Sequence, residues 1–158
     1  MKKLQETKID GSKAVPFTFT WKPPHAVSTF TVKTADGEEL LYKTYIELEE
    51  GICYFHFSVT PRGRDETWRQ IEIGFRSAIQ VFHTVWAIML QFLDETEDKV
   101  DVIAFTADSS DESRNRFYHT ISQQIADIFD VEYSFQEDPV NSIGGENSFE
   151  IPINWVPR

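Results

Sequence analysis

The chain has 158 residues, with 26 acidic and 15 basic side chains and a formal net charge of −11. A protein that binds nucleic acid without sequence preference needs basic surface to neutralise phosphates, so this charge disfavours nucleic-acid binding. Hydrophobic residues make up 41% of the chain and include 13 Phe and 4 Trp, which is enough for one domain with its own core. The single cysteine, Cys53, excludes an internal disulfide and a multi-cysteine metal site.

The polar N-terminus and the short apolar runs predict the extent and the setting of this domain. Residues 1–14 are typical of a flexible start, so we expect one domain over 15–158. No apolar core of a signal peptide is visible, and the longest unbroken apolar run, Val85–Leu90, is far too short to span a bilayer. We therefore expect a cytoplasmic protein that does not contact membranes.

The first half of the chain alternates apolar and polar residues, which is the pattern of half-buried strands. Asp36-Gly37 and Glu49-Glu50-Gly51 are turn signals. The segment ICYFHFSVT is aromatic and β-branched, as expected for a central strand. The pattern predicts an antiparallel meander of four strands, over Val15–Trp21, Ser28–Thr34, Leu40–Leu48 and Ile52–Thr60.

The second half begins with helical spacing. Apolar residues recur every three or four positions from Phe75 to Leu93, and the polar stripe between them is narrow. A helix this apolar is largely buried, so we expect it to pack across the sheet. Its polar stripe includes His83, which we expect to face solvent, as we do His119 further along the chain.

A strand, a second helix and two final strands complete the predicted order β-β-β-β-α-β-α-β-β. The Ser, Asp and Glu residues of Ala107–Glu112 suit the beginning of a helix. We expect a parallel crossover around the first helix, and hence a mixed sheet in an α/β fold of the mixed α+β kind. The expected elements are a strand over Val100–Thr106, a helix to about Phe129, and strands over Val131–Phe135 and Phe149–Ile153.

This order resembles the GNAT family of N-acetyltransferases, from the second strand of that fold onward. The segment SRNRFYHTI (Ser113–Ile121) is similar to the family's helix after the fifth strand, where Asn or Arg precedes a bulky residue and a tyrosine. The segments GFRSAIQVFHTV, AFTAD and SRNRFY also resemble small GNAT-like proteins encoded by bacteriophages. The resemblance covers about residues 52–135, and it implies an N-acyltransferase that uses acetyl-coenzyme A or another acyl-coenzyme A.

The resemblance also implies particular site residues. In the family, a loop of the form Arg/Gln-x-x-Gly-x-Gly/Ala holds the coenzyme A pyrophosphate on backbone amides, and a helix N-terminus favours such an anion. Tyr118 falls at the position of the tyrosine that protonates the leaving thiolate as a general acid. Glu72, near the strand–helix junction, is a candidate general base. The candidate cofactor-binding residues are Arg69, Gly74, Phe75, Arg76, Ser77 and Asn115.

Two departures from the family pattern keep another function open. The loop has one glycine, with Phe75 and Arg76 where small residues are expected, and Lys22–Val27 is too short to contain the family's first two helices. Arg62, Arg64, Arg69 and Arg76 could bind phosphate through their side chains, or pair with nearby carboxylates. The alternative is a non-catalytic acidic protein, encoded by a phage, that binds a basic surface of a host or virion protein.

Several of these residues also have a purely structural interpretation. A tyrosine on an apolar helical stripe, such as Tyr118, is commonly a core residue. Cys53 lies in a predicted strand, where an inert buried thiol is expected. The two interpretations of the chain differ in one structural feature. A cofactor cleft requires the strands at 52–60 and 100–106 to separate into a notch, and full pairing would close it.

Overall fold

The structure is a computed structural model that describes residues 8–33, 37–61, 75–96, 99–137 and 145–153. It confirms the mixed α+β class and the predicted succession of strands and helices. A 3-10 helix over Gly11–Lys13 precedes them. The elements are β1 (Thr20–Lys22), β2 (His25–Lys33), β3 (Glu39–Glu49), β4 (Ile52–Pro61), α1 (Phe75–Thr96), β5 (Val102–Asp108), α2 (Glu112–Phe129), β6 (Ser134–Gln136) and β7 (Glu146–Pro152).

The strands of the described residues form one sheet of seven strands in the order β1-β2-β3-β4-β5-β7-β6. The first four strands are the predicted antiparallel meander. β4 and β5 are parallel, because α1 lies between them in the chain as a crossover. β7 enters between β5 and β6 and is antiparallel to both. The sheet is therefore mixed, as expected.

Both helices pack on the same face of the sheet. α1 covers β4, where the Cys53 Sγ lies 3.9 Å from the Met89 Sδ. α2 covers β5, where the ring of Tyr118 stacks on that of Phe105 with centroids 4.9 Å apart. Cys53 pairs with Ile103, two residues before Phe105, and side chains two positions apart in a strand point to the same side. The core therefore lies between this face and the two helices.

The opposite face of the sheet is not covered by either helix. β3 alternates strictly, with Leu40, Tyr42 and Ile46 buried, while Leu41 on the other face is 43% exposed. A strand with one buried face shows this alternation.

Within the described part of the chain, no helix is long and apolar enough to cross a bilayer.

The strand predicted over Val15–Trp21 is only partly formed, and β1 is its C-terminal end. The Thr29 amide donates to the side-chain Oγ1 of Thr18 at 3.0 Å. In a regular antiparallel pair, this amide would donate to a backbone carbonyl of the neighbouring strand. The Val15 amide donates to the Thr84 Oγ1 in α1 at 3.0 Å, which takes this residue away from the sheet. Alternation predicts an extended segment, but these side-chain acceptors interrupt its ladder.

The prediction that His83 and His119 face solvent is wrong. His83 is only 4% exposed, because residues 8–13 lie against its side of α1. His119 is half-buried among aromatic rings: its Nδ1 is 2.9 Å from the Tyr133 hydroxyl, and its ring centroid is 4.7 Å from that of Phe149. Helical spacing places both on polar stripes, and contacts with distant parts of the chain bury them.

Candidate functional site

The parallel strands β4 and β5 pair only over their first four residues. The register runs from Ile52↔Val102 to Phe55↔Phe105. Beyond it, β4 continues to Pro61 beside β3, and β5 continues to Asp108 beside β7. Among the described residues, the pairing of the two strands therefore stops before their carboxyl ends, and we call the region between them beyond Phe55 and Phe105 the notch. Strands that part in this way can admit an extended ligand between them.

Buried aromatic rings pack together at the last paired position of β4 and β5. The rings of Phe55 and Phe105, at the last paired position, have centroids 5.7 Å apart. Tyr118 stacks on Phe105 and meets Phe149 edge-on at 5.7 Å. Tyr118 is fully buried, and this burial raises the pKa of its phenol above the usual value, so the hydroxyl is protonated at neutral pH. The candidate general acid is thus placed next to the residue at which the notch begins.

Arg114 is a charged residue of this region that the sequence analysis did not assign. It lies one helical turn before Tyr118, and its Nε is 3.6 Å from the Asp111 Oδ2. Burial raises the pKa of both Tyr118 and Tyr42, and the Arg114 charge opposes this rise in each case. The spacing of four residues between Arg114 and Tyr118 in SRNRFY was the available signal, because such residues are neighbours on a helix.

Tyr42, the second tyrosine on which the Arg114 charge acts, lies on β3. It pairs with Val59 of β4, four residues beyond the last position at which β4 pairs with β5. Its ring stacks on that of Phe30 with centroids 5.0 Å apart, and it is fully buried. One cation therefore acts on two buried phenols, one on β3 and one on α2.

Asn115, a candidate cofactor-binding residue, joins the loop after β5 to β7. Its Nδ2 donates to the Asp108 carbonyl at 2.9 Å and to the Asp111 carbonyl at 2.8 Å. Its Oδ1 accepts from the Nδ2 of Asn147 at 2.9 Å. The amide thus has three partners within the protein. The cofactor contact stays a prediction, and the structure adds a role in holding this loop.

The N-terminus of α2 is occupied by a carboxylate of the chain itself. The Asp111 side chain accepts from the Arg114 amide at 3.0 Å, as an N-cap residue does, and Glu112 adds a second negative charge to the first turn. An external anion is not favoured next to these charges.

The predicted pyrophosphate site at the start of α1 lies largely outside the described residues. Arg62, Arg64, Arg69, Glu72 and Gly74 are all outside them. The structure describes the backbone of Phe75, Arg76 and Ser77, which is helical and belongs to α1. It does not describe the side chains of these three residues. The structure therefore brings together Tyr118, Asn115 and the notch, and leaves the loop contacts as predictions.

Cys53 is the inert thiol that its strand position predicted. It is fully buried against Met89, and burial raises the pKa of its thiol far above the usual value. A nucleophilic cysteine needs a lowered pKa and access to substrate, and Cys53 has neither. Among the described residues, no group of three or more His, Cys, Asp or Glu side chains is arranged to hold a metal ion.

No protein-family model matches the chain, and no curated protein or solved structure matches it significantly.

Proposed function

We propose that the protein binds an acyl-coenzyme A in the notch between β4 and β5 and transfers the acyl group to an amine. The observation that carries this proposal is the end of the parallel ladder at Phe55 and Phe105, while both strands continue. The pantetheine arm of coenzyme A is linear and contains two amides, so it suits a wedge between two strand edges.

Tyr118 acts as the proton donor in this mechanism. The acceptor amine attacks the thioester carbonyl, a C–N bond forms, and the C–S bond then breaks. The departing thiolate takes the proton of the Tyr118 phenol, and the proton lost by the amine passes to a base, for which Glu72 is the candidate. Arg114 stabilises the transient phenolate, consistent with its opposition to the raised pKa of Tyr118.

The proposal is tested by measuring the binding of acetyl-coenzyme A and of coenzyme A to the protein, by calorimetry and by thermal shift. A ligand at one hundred times its Kd stabilises a protein by about 2.7 kcal/mol, so millimolar cofactor should raise Tm clearly. Adenosine diphosphate is the control for binding that does not use the pantetheine arm. A pantetheine site would be contradicted if adenosine diphosphate raised Tm as much as acetyl-coenzyme A does, or if millimolar acetyl-coenzyme A did not stabilise the protein.

Replacing Tyr118 by Phe tests the catalytic step separately. The ring contacts are retained and the donated proton is lost, so we expect kcat to fall by about 100-fold with cofactor affinity nearly unchanged. Tyr54→Phe is the matched control, because Tyr54 lies on the opposite face of β4, where the strand still pairs with β5. Unchanged turnover in Tyr118→Phe would remove this tyrosine from the mechanism.

The uncovered face of the sheet favours a second candidate function, a non-catalytic protein that binds a basic partner surface. Leu41 is exposed on this face, and the rings of His25 and Tyr45 lie 5.6 Å apart on it. The net charge of −11 would attract a basic partner. If this function is correct, the native protein captures a partner and the Leu41→Asp variant, with the same Tm as the native protein, does not. Neither protein then binds acetyl-coenzyme A. Capture no better than that by an inert acidic protein contradicts it.

A further inference from the structure

We propose that residues 8–15 form a strap that is fastened to α1 through neutral His83 and released when His83 is protonated. The Asp10 amide donates to the His83 Nδ1 at 2.9 Å, across 73 positions of the chain. The Val15 amide donates to the Thr84 Oγ1 at 3.0 Å. Two consecutive residues of α1 thus bind the two ends of the strap.

The second anchor does not depend on pH. The Thr84 hydroxyl donates its own hydrogen to the Gln80 carbonyl at 2.7 Å, so its oxygen is oriented to accept from Val15. Between the anchors, Gly11 lies against α1 so closely that an added Cβ would be 3.5 Å from the Cβ of Ala87. The His83 contact is therefore the titratable part of an otherwise neutral attachment.

The His83 contact requires one protonation state. An Nδ1 that accepts a hydrogen bond is unprotonated, so the imidazole is neutral and carries its hydrogen on Nε2. Protonation places a hydrogen on Nδ1, directly opposite the Asp10 N–H, and two donors then face each other. The bond is lost and the two dipoles repel.

Among the residues that the structure describes, the charged groups that act on His83 are Lys13 and Asp10, both in the strap. Burial and the Lys13 ammonium lower the pKa of His83 below its ordinary value of 6.5, and the Asp10 carboxylate acts in the opposite direction. That carboxylate accepts hydrogen bonds from the Ser12 amide at 3.0 Å and the Ser12 hydroxyl at 2.7 Å. The lowered pKa shows that burial and Lys13 outweigh Asp10.

The sign of the pH dependence follows from the Asp10–His83 hydrogen bond, which only neutral His83 accepts, and the lowered pKa of His83 agrees with it. A released His83 has an ordinary pKa, so the released state binds a proton more tightly than the docked state. Docking is complete above about pH 6.5 and weakens as the pH falls, by at most about tenfold for each pH unit. Release uncovers Ala87 and Leu90 on α1, whose atoms lie 3.5 and 3.6 Å from the position that a Cβ on Gly11 would occupy.

NMR of the native protein tests the strap without any substitution. The ¹⁵N shifts of the His83 ring should show an unprotonated Nδ1 at pH 7.5, and the Asp10 amide should be protected from hydrogen exchange. Between pH 7 and pH 5 its protection factor should fall, by less than about tenfold for each pH unit. The Leu48 amide, which donates to the Pro24 carbonyl away from the strap, should keep its protection and serves as the control.

Two substitutions at His83 separate the proton from the contact. The Oδ1 of Asn stands on Cγ as Nδ1 does, so His83→Asn should keep the Asp10 amide protected at both pH values. His83→Phe removes the acceptor and should leave that amide unprotected at both. A protonated Nδ1 at pH 7.5, or a native Asp10 protection factor that does not change between pH 7 and pH 5, would overturn the proposal.

Discussion

Tyr118 contributes to the core and to the notch at the same time. Its ring stacks on Phe105 and contacts Phe149, so its burial confirms the structural interpretation of an aromatic residue on an apolar helical stripe. The same packing places it at the residue where β5 parts from β4. Sequence spacing predicted the burial, and only the pairing of the strands decides what lies beside the ring.

Asn115 allows a stability test at the residue scale. Asn115→Ala removes the donors to the Asp108 and Asp111 carbonyls and the acceptor for the Asn147 amide. Losing partners of part-buried polar groups costs about 1–3 kcal/mol, which urea denaturation would measure. Gln123→Ala on the exposed side of α2 is the control and should change stability by less than about 0.5 kcal/mol. Equal effects of the two substitutions would show that Asn115 does not hold the loop.

The turn between β3 and β4 provides a test at the scale of an element. Glu50 and Gly51 both have positive φ, 50° and 82°. The Gly51 carbonyl accepts from the Asp101 amide at 2.7 Å, just before the parallel pairing of β4 with β5 begins. The hairpin signal Glu49-Glu50-Gly51 is therefore confirmed, and the turn also helps to position β5.

Gly51→Ala should destabilise the protein by about 1 kcal/mol or more, because an alanine at φ +82° is strained. An added Cβ would also lie 2.6 Å from the Asp101 Oδ2. Glu50→Gly is the matched control. Glycine adopts the positive φ without strain but loses more conformational entropy on folding than glutamate does, so the two effects oppose each other and stability should change by less than about 1 kcal/mol. Thermal or chemical unfolding measures both. A neutral Gly51→Ala would mean that the turn can adopt another conformation.

The start of α1 was predictable because apolar spacing from Phe75 is a local property of the chain. The described helix reaches Thr96, three residues beyond the predicted end, and the buried Thr96 hydroxyl donates to the Phe92 carbonyl at 2.9 Å. A polar residue is expected to end an apolar stripe, and here a side-chain to backbone bond lets the helix continue. The burial of His83 on the same helix depends on the distant Asp10 and could not be read from that spacing.

The net charge of −11 leads to a prediction for the whole molecule. Self-repulsion destabilises a compact state of high charge, and salt screens it. We expect Tm to rise between about 10 mM and 150 mM NaCl, as the Debye length falls from about 30 Å to about 8 Å. Choline chloride should have the same effect, which separates screening from binding of sodium. A Tm that falls with both salts would show that favourable ion pairs outweigh the repulsion.

At the scale of the whole molecule, the sequence by itself determined the class, the order of elements and the meander, because alternation, helical spacing and turn residues are local signals. Only the tertiary structure decided that both helices share one face, that β4 and β5 part after Phe55 and Phe105, and that the N-terminal strap reaches His83. These features are contacts between distant residues. No local pattern specifies them, because they depend on which segments the fold brings together.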